Sequence, residues 1–219
     1  MIKALVFDFD GLILDTAYPE YHSWQLIYRE FDLQLPIELW AAGVFKSSDS
    51  IVPTPYDDLE ARLGRSIDRA EIRVRRRAHF HELMRSETIL PGVQQILTAG
   101  RALGLGIAIA SSSPRDWVIG YLEQVDLHAY FDVLWCGDDV VRTKPDPELY
   151  LSAIGSLGCA PSEAIAFEDS ATGVKAAKAA GLYCVAVPNR LTVHAILDQA
   201  DLRIGSLAEL SLEQLVSCR

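Results

Sequence analysis

Asp8 and Asp10 stand two residues apart in the run KALVFDFDGLILDT, residues 3–16, directly after the apolar stretch Ala4, Leu5, Val6, Phe7. An apolar run of that length suits a fully buried strand and is short for a helix. Carboxylates on alternate residues at the carboxyl end of a strand point to the same side. Two like charges about 4 Å apart at an effective dielectric near 20 repel by about 4 kcal/mol, so a cation is expected beside them. Gly11 then permits a tight turn whose backbone N–H groups can approach an anion, as in phosphate-binding turns. On their own, Asp8 and Asp10 could equally be turn residues or helix caps.

Three further polar clusters bear on that choice: Ser111 in IAIASSSP, Lys144 in RTKPDPELY, and Glu168-Asp169 in AFEDSATGVKAAKAAG. Each has an ordinary structural reading. Ser111 could cap the helix that follows, Lys144 could be a surface lysine, and Glu168-Asp169-Ser170 could cap the alanine-rich helix. What sets them apart is their placement along the chain.

The elements that must position them are legible in the hydrophobic pattern. Beyond Ala4–Phe7, buried strands are expected at Leu105–Ala110, Val133–Trp135, Ile165–Phe167 and Tyr183–Val187, with a small edge strand at Leu202–Ile204. Helices are expected over Val93–Leu103, Asp116–Gln124, Pro147–Leu157, Ala171–Ala180 and Leu207–Val216. Strands alternating with helices imply right-handed crossovers and an α/β fold, a doubly wound parallel sheet covered on both faces. Ligand sites in such sheets lie at the carboxyl ends of the strands, beside a switch in strand order. Asp8 and Asp10 follow the first strand, Ser111 the second and Glu168-Asp169 the fourth, while Lys144-Pro145 precedes a helix after the third.

Between Tyr18 and Arg85 the pattern is helical and aromatic, with no convincing buried strand. Trp24, Leu26, Ile27, Tyr28 and Phe31 supply one apolar face; Leu35-Pro36 marks a break before Ile37–Phe45; 46–55 reads as a loop; Tyr56–Leu63 is a short helix stopped by Gly64. The expected division is a core of residues 1–16 and 88–219 with an inserted all-helical unit, 17–87. The arginines at 69, 73, 75, 76, 77 and 85 read as a solvated face paired with nearby acids, and His79 and His81 are too close in sequence to share a helical face as a metal pair.

Bulk properties exclude several classes. The 219 residues are 50% hydrophobic, enough for a sizeable core. The formal charge of -10 and pI near 4.9 argue against nucleic-acid or anionic-membrane binding, so a small anionic substrate would need local cations. Cys136, Cys159, Cys184 and Cys218 are scattered, with neither zinc-ligand spacing nor a disulfide framework, which fits a reduced cytoplasm. The early acids interrupt any signal-peptide core and no apolar run is long enough to span a bilayer, so a soluble, unprocessed protein is expected.

In this order the four motifs resemble those of the haloacid dehalogenase (HAD) superfamily, in the branch of β-phosphoglucomutase and related sugar-phosphate phosphatases with a helical cap. The resemblance spans the whole chain and implies a Rossmann-like core and a phosphatase acting on a small phosphorylated metabolite. It implies Asp8 as nucleophile and Asp10 as general acid and base. It also implies Mg²⁺ held by Asp8, the backbone carbonyl of Asp10, Asp169 and Glu168, with Glu168 direct or through water. Lys144, Ser111 and Ser112 would bind the substrate phosphate. Asp15 and Ser170 read as structural. A phosphosugar mutase is the nearest alternative, but the cap loop Gly43–Ser50 has no match to that branch's phosphate-binding arginine and offers only Lys46. A non-catalytic receiver-like module is more remote, since such modules are smaller and carry no inserted cap. Tyr18, Tyr21, His22, Trp24, Phe45 and Lys46 are candidates to face the site from the cap, with cap core as the competing role for the aromatics. The sequence specifies no oligomeric state.

Overall fold

A computed structural model describes residues 1–37, 40 and 54–218. The chain divides into two compact units, one of residues 1–15 and 88–219, the other of residues 16–87.

The first unit is built on a six-stranded, all-parallel sheet. Its strands are β1 (Ala4–Phe7), β2 (Gly106–Ala110), β3 (Val133–Trp135), β4 (Ala164–Glu168), β5 (Tyr183–Ala186) and β6 (Leu202–Arg203), in the order β3-β2-β1-β4-β5-β6. The chain winds outward from β1 to β3, then returns to the other side of β1 for β4. The strand order therefore switches between β1 and β4.

Side-chain alternation sorts the two faces by size. Ala4, Val6, Ala108, Ala110, Ala164, Ala166, Cys184 and Ala186 share one buried face, where small side chains let α6 (Glu148–Ser156) and α7 (Ala171–Ala179) approach the backbone. The opposite face carries Leu5, Phe7, Ile107, Ile109, Ile165 and Phe167. There Phe7 stacks on Phe167 at 4.7 Å, and α4 (Val93–Ala102) comes so close at Gly100 that an added Cβ would lie 2.9 Å from Leu5. Helix α5 (Arg115–Gln124) follows β2. The C-terminal segment departs from the single helix expected over Leu207–Val216. Leu207–Glu209 forms a tight 3₁₀ turn and Leu210 is extended. The Ser211 side chain then accepts from Gln214 N (3.3 Å) to start α8 (Leu212–Ser217).

The second unit contains α1 (Ala17–Arg29), α2 (Pro55–Leu63) and α3 (Arg69–Met84). Thr54 and Asp57 form a reciprocal cap on α2, and Gly64, at φ +64°, ends it in the left-handed conformation. Its core includes Tyr21, Trp24, Ile27, Tyr28, Leu59, Ile72 and Phe80. The Tyr28 hydroxyl donates to Pro55 O and Asp58, which ties α1 to α2. Arg69, Arg75, Arg76 and Arg85 pair with acids of the same unit: Asp57 and Glu60, Glu30, Glu20 and Glu82 respectively. The expectations for Ile37–Phe45 and for the loop 46–55 fall mostly outside the described residues, as do Phe45 and Lys46.

Candidate active site

The register of β1 and β4 builds the centre of the site. Phe7 lies opposite Phe167, so the next residues, Asp8 and Glu168, leave the sheet side by side, on the small-residue face shared by Val6 and Ala166. Asp8 N donates to Phe167 O at 3.0 Å, holding this register at the strand ends.

Between the two carboxylates sits Lys144, whose Nζ lies 2.6 Å from Asp8 Oδ1 and 2.5 Å from Glu168 Oε1. Helix α6 brings Tyr150 beneath it, with the ring centroid 5.1 Å from the ammonium and the hydroxyl donating to Glu168 Oε1 at 2.6 Å. Glu168 Oε2 accepts from Asp169 N (3.2 Å), Ser170 N (3.4 Å) and Ser170 Oγ (3.3 Å). Both its oxygens are thus tied to the protein. Ser170 caps α7 by accepting from Gly173 N, and the absence of a side chain at Gly173 leaves room for the Glu168 carboxylate, which a Cβ there would overlap.

Asp169 is aimed by a residue from the end of β5. Asn189 Nδ2 donates to Asp169 Oδ2 (2.7 Å) and to Gly11 O (3.2 Å), while Asn189 Oδ1 accepts from Leu191 N and Thr192 N. Gly11, at φ +83°, has no space for a side chain: a Cβ would meet the Asn189 amide and stand 2.5 Å from Asp169 Oδ2.

Asp10 has a different set of partners. Its Oδ2 accepts from Ser113 Oγ (2.6 Å) and Ser111 Oγ (3.4 Å), and its Oδ1 accepts from Trp117 Nε1 (2.9 Å). Ser111 is fully buried and also receives Ser113 N; Ser112 between them is exposed. Asp15 accepts from Arg190 at 2.7 Å.

Asp8, Glu168 and Asp169, all buried, can each offer an oxygen within 4.8 Å of the others. Three carboxylates against the single Lys144 ammonium leave an excess of buried negative charge. Burial, reinforced by Glu168, pushes the Asp8 carboxyl up to about 7 in spite of Lys144. Burial works against the Lys144 ammonium too, but Asp8 and Glu168 outweigh it and hold the lysine above its usual range. Tyr150 is raised by burial and then by Glu168, so its hydroxyl stays a donor. A cluster of hard oxygen donors with surplus negative charge fits a divalent metal ion.

The structure thus brings Asp8, Lys144, Glu168 and Asp169 into one buried group and sets Asp10 with Ser111 beside it. Tyr21 and Trp24 are buried within the helical unit, where Tyr21 donates to Leu35 O and Trp24 packs edge-on against Tyr56. Tyr18 and His22 form an edge-on pair there. Ser113, Trp117, Tyr150 and Asn189 escaped the sequence reading. Asn189 offered a signal, a polar residue just past a strand's carboxyl end. Tyr150 and Trp117 read simply as apolar positions of their helices.

A buried acid cluster with one lysine, at the strand-order switch of a doubly wound parallel sheet, fits an α/β protein that handles phosphate. Residues 5–187 match the family model described as haloacid dehalogenase-like hydrolase, and the chain belongs to that family. It is 44% identical over 216 residues to "Putative phosphatase YhcW" of Bacillus subtilis (strain 168), covering 99% of this chain and 97% of that one. It is 28% identical over 217 residues to "Phosphorylated carbohydrates phosphatase" of Thermotoga maritima, covering 99% and 97%. Among solved structures, CbbY from Rhodobacter sphaeroides in complex with phosphate is similar, with a TM-score of 0.73 and 25% identity over 96% of this chain and 97% of that one. The protein is a phosphoric monoester hydrolase of the HAD superfamily. Among the described residues no helix is long and apolar enough to cross a membrane.

Proposed function

We propose that this hydrolase is a Mg²⁺-dependent phosphatase of a small phosphorylated metabolite, a sugar phosphate or similar ester, working through an aspartyl-phosphate on Asp8. The observation that carries this reading is the separation of the two acids of the first motif. Asp8 is paired with Lys144 in the buried acid cluster, whereas Asp10 is held by hydroxyl and indole donors. One carboxylate is thereby kept as a nucleophile and the other reserved for moving protons.

In the first half-reaction an Asp8 oxygen bonds to phosphorus as the ester P–O bond breaks, and Asp10 delivers its proton to the departing oxygen. In the second, Asp10 takes a proton from water as that water bonds to phosphorus and the Asp8–phosphorus bond breaks, releasing inorganic phosphate. Lys144 favours the ionised form of Asp8 and neutralises phosphate charge, and Ser111 and Ser112 donate to the phosphate oxygens. Asp8, the Asp10 carbonyl and Asp169, with Glu168 directly or through water, would hold Mg²⁺, which when bound offsets negative charge on the phosphate. Residues 17–87 act as the cap that selects the substrate. The name of the Thermotoga maritima relative supports a phosphorylated carbohydrate as the substrate class. The four free thiols accord with a cytoplasmic location.

The test is a panel of phosphate monoesters assayed with Mg²⁺ and after metal removal with excess EDTA, alongside Asp8→Asn. Phosphate release should require the metal, and Asp8→Asn should abolish both turnover and the covalent phosphate detected by mass spectrometry. Full turnover of metal-stripped protein in EDTA would sink the proposal.

A further inference from the structure

Three donors to Asp10 come from one short stretch, the β2–α5 turn and the start of α5. Ser111 and Ser113 belong to the turn itself, and Trp117 lies in the first turn of the helix, its backbone N–H bonded to Pro114 O at 3.1 Å. The indole is braced by Tyr121 one helical turn further on, with ring centroids 4.9 Å apart at 71°. From that position Trp117 Nε1 reaches Asp10 Oδ1 at 2.9 Å while Ser113 Oγ reaches Oδ2 at 2.6 Å. Asp10 itself sits outside β1, in a turn closed by Gly11 N donating to Leu14 O at 2.8 Å.

We infer that Trp117, assisted by Ser113, is the positioning residue that fixes the Asp10 carboxyl for proton delivery to the leaving group. The inference rests on the reading of Asp10 as general acid and base. An indole N–H can donate and cannot accept, so it stays on Oδ1 whether Asp10 is neutral or ionised. Oδ2 faces the Ser113 and Ser111 hydroxyls, each able to turn from donor to acceptor, so the hold on Asp10 persists while it gives up or takes a proton. The hold also draws Asp10 to donors other than Lys144, which is bonded to Asp8 and Glu168. A proton donor displaced by as little as about 1 Å loses rate on the order of a hundredfold, so a braced donor on the carboxyl is a rate-determining feature.

The experiment compares kcat/KM for glucose 6-phosphate and 4-nitrophenyl phosphate in the full-length, Mg²⁺-loaded protein. This parameter reports only the steps through leaving-group departure, and the nitrophenolate needs no proton to leave. Trp117→Phe keeps the ring against Tyr121 and removes the N–H. It should lower the glucose 6-phosphate value by about tenfold or more and the 4-nitrophenyl phosphate value by less than about threefold. Ser113→Ala should show the same contrast and Ser113→Thr should restore it; this pair carries the test if Trp117→Phe fails the circular dichroism check for folding. Asp10→Asn is run in parallel. A contrast in Asp10→Asn with equal or no losses in the Trp117 and Ser113 variants overturns the positioning role alone. Equal losses on both substrates in Asp10→Asn overturn the acid reading, and the positioning role with it.

Discussion

Lys144 holds two carboxylates at once, and its two partners play different parts. Glu168 is fully buried and accepts from Tyr150, Asp169 N and Ser170 as well as from the lysine, so its charge is spread over fixed donors. Asp8 has Lys144 on one oxygen, and burial beside Glu168 makes its ionised form costly in the metal-free protein. The pH consequence follows from sign. In the metal-free fold Asp8 keeps a proton up to about 7 that the unfolded chain releases near its ordinary value of about 3.9. Its contribution to stability is therefore fully present below the lower value and is lost as pH rises through the upper one. A divalent cation takes the place of that proton, so Mg²⁺ should raise the melting temperature little at pH 5 and clearly at pH 8. Thermal scans with Mg²⁺ and with EDTA at the two pH values check this. Equal shifts at both would show that Asp8 does not control the linkage.

At the scale of elements, the site depends on α7 starting hard against the end of β4. Gly173 permits this, because a Cβ there would occupy the Glu168 carboxylate. Gly173→Ala should push Glu168 off Lys144 and Tyr150, costing about 1–3 kcal/mol of stability together with most of the activity. Gly120, in the middle of α5, has open space where its Cβ would be. Gly120→Ala should stabilise the protein by about 0.5–1 kcal/mol, since it removes backbone entropy only from the unfolded chain. Urea denaturation midpoints for the two variants should move in opposite directions. The same elements explain what could be read beforehand. The strands were legible because both faces of the sheet are covered, which makes Leu5–Phe7 or Ile107–Ala110 unbroken apolar runs. Asp8, Ser111, Glu168 and Asp169 were legible because they directly follow such runs, and Lys144 because it falls in order with them, ahead of the helix after the third strand. Tyr150 and Trp117 were hidden because their rings satisfy the apolar pattern of α6 and α5, and only the distances from their polar tips reveal the second role. Leu207–Val216 misled because a local serine cap, invisible to apolar periodicity, restarts the helix at Ser211.

For the molecule as a whole, the hydrolase must favour transferring phosphate to water over returning it to a second position of the same sugar. A mutase must hold a bisphosphorylated intermediate, keep water from the aspartyl-phosphate and let the intermediate turn over between two phosphate sites. The second site needs fixed cations, ideally an arginine that can grip phosphate through two N–H groups. Of the nine arginines in the helical unit, Arg62, Arg69, Arg75, Arg76 and Arg85 are engaged by Asp58, Asp57 and Glu60, Glu30, Glu20 and Glu82, while Arg29, Arg65, Arg73 and Arg77 lie outside residues 43–50, the loop that would have to supply the second site. Residues 43–50 contribute Lys46 alone. An ammonium is a point charge, poorly suited to hold a phosphate in one orientation while the sugar turns. The prediction is that water wins. Incubation with β-glucose 1-phosphate, a trace of the 1,6-bisphosphate and Mg²⁺ should release inorganic phosphate faster than it forms glucose 6-phosphate. If glucose 6-phosphate accumulates well ahead of phosphate, this prediction fails and a mutase activity accompanies the hydrolase, and loss of that activity in Lys46→Ala would locate a second phosphate site in the cap.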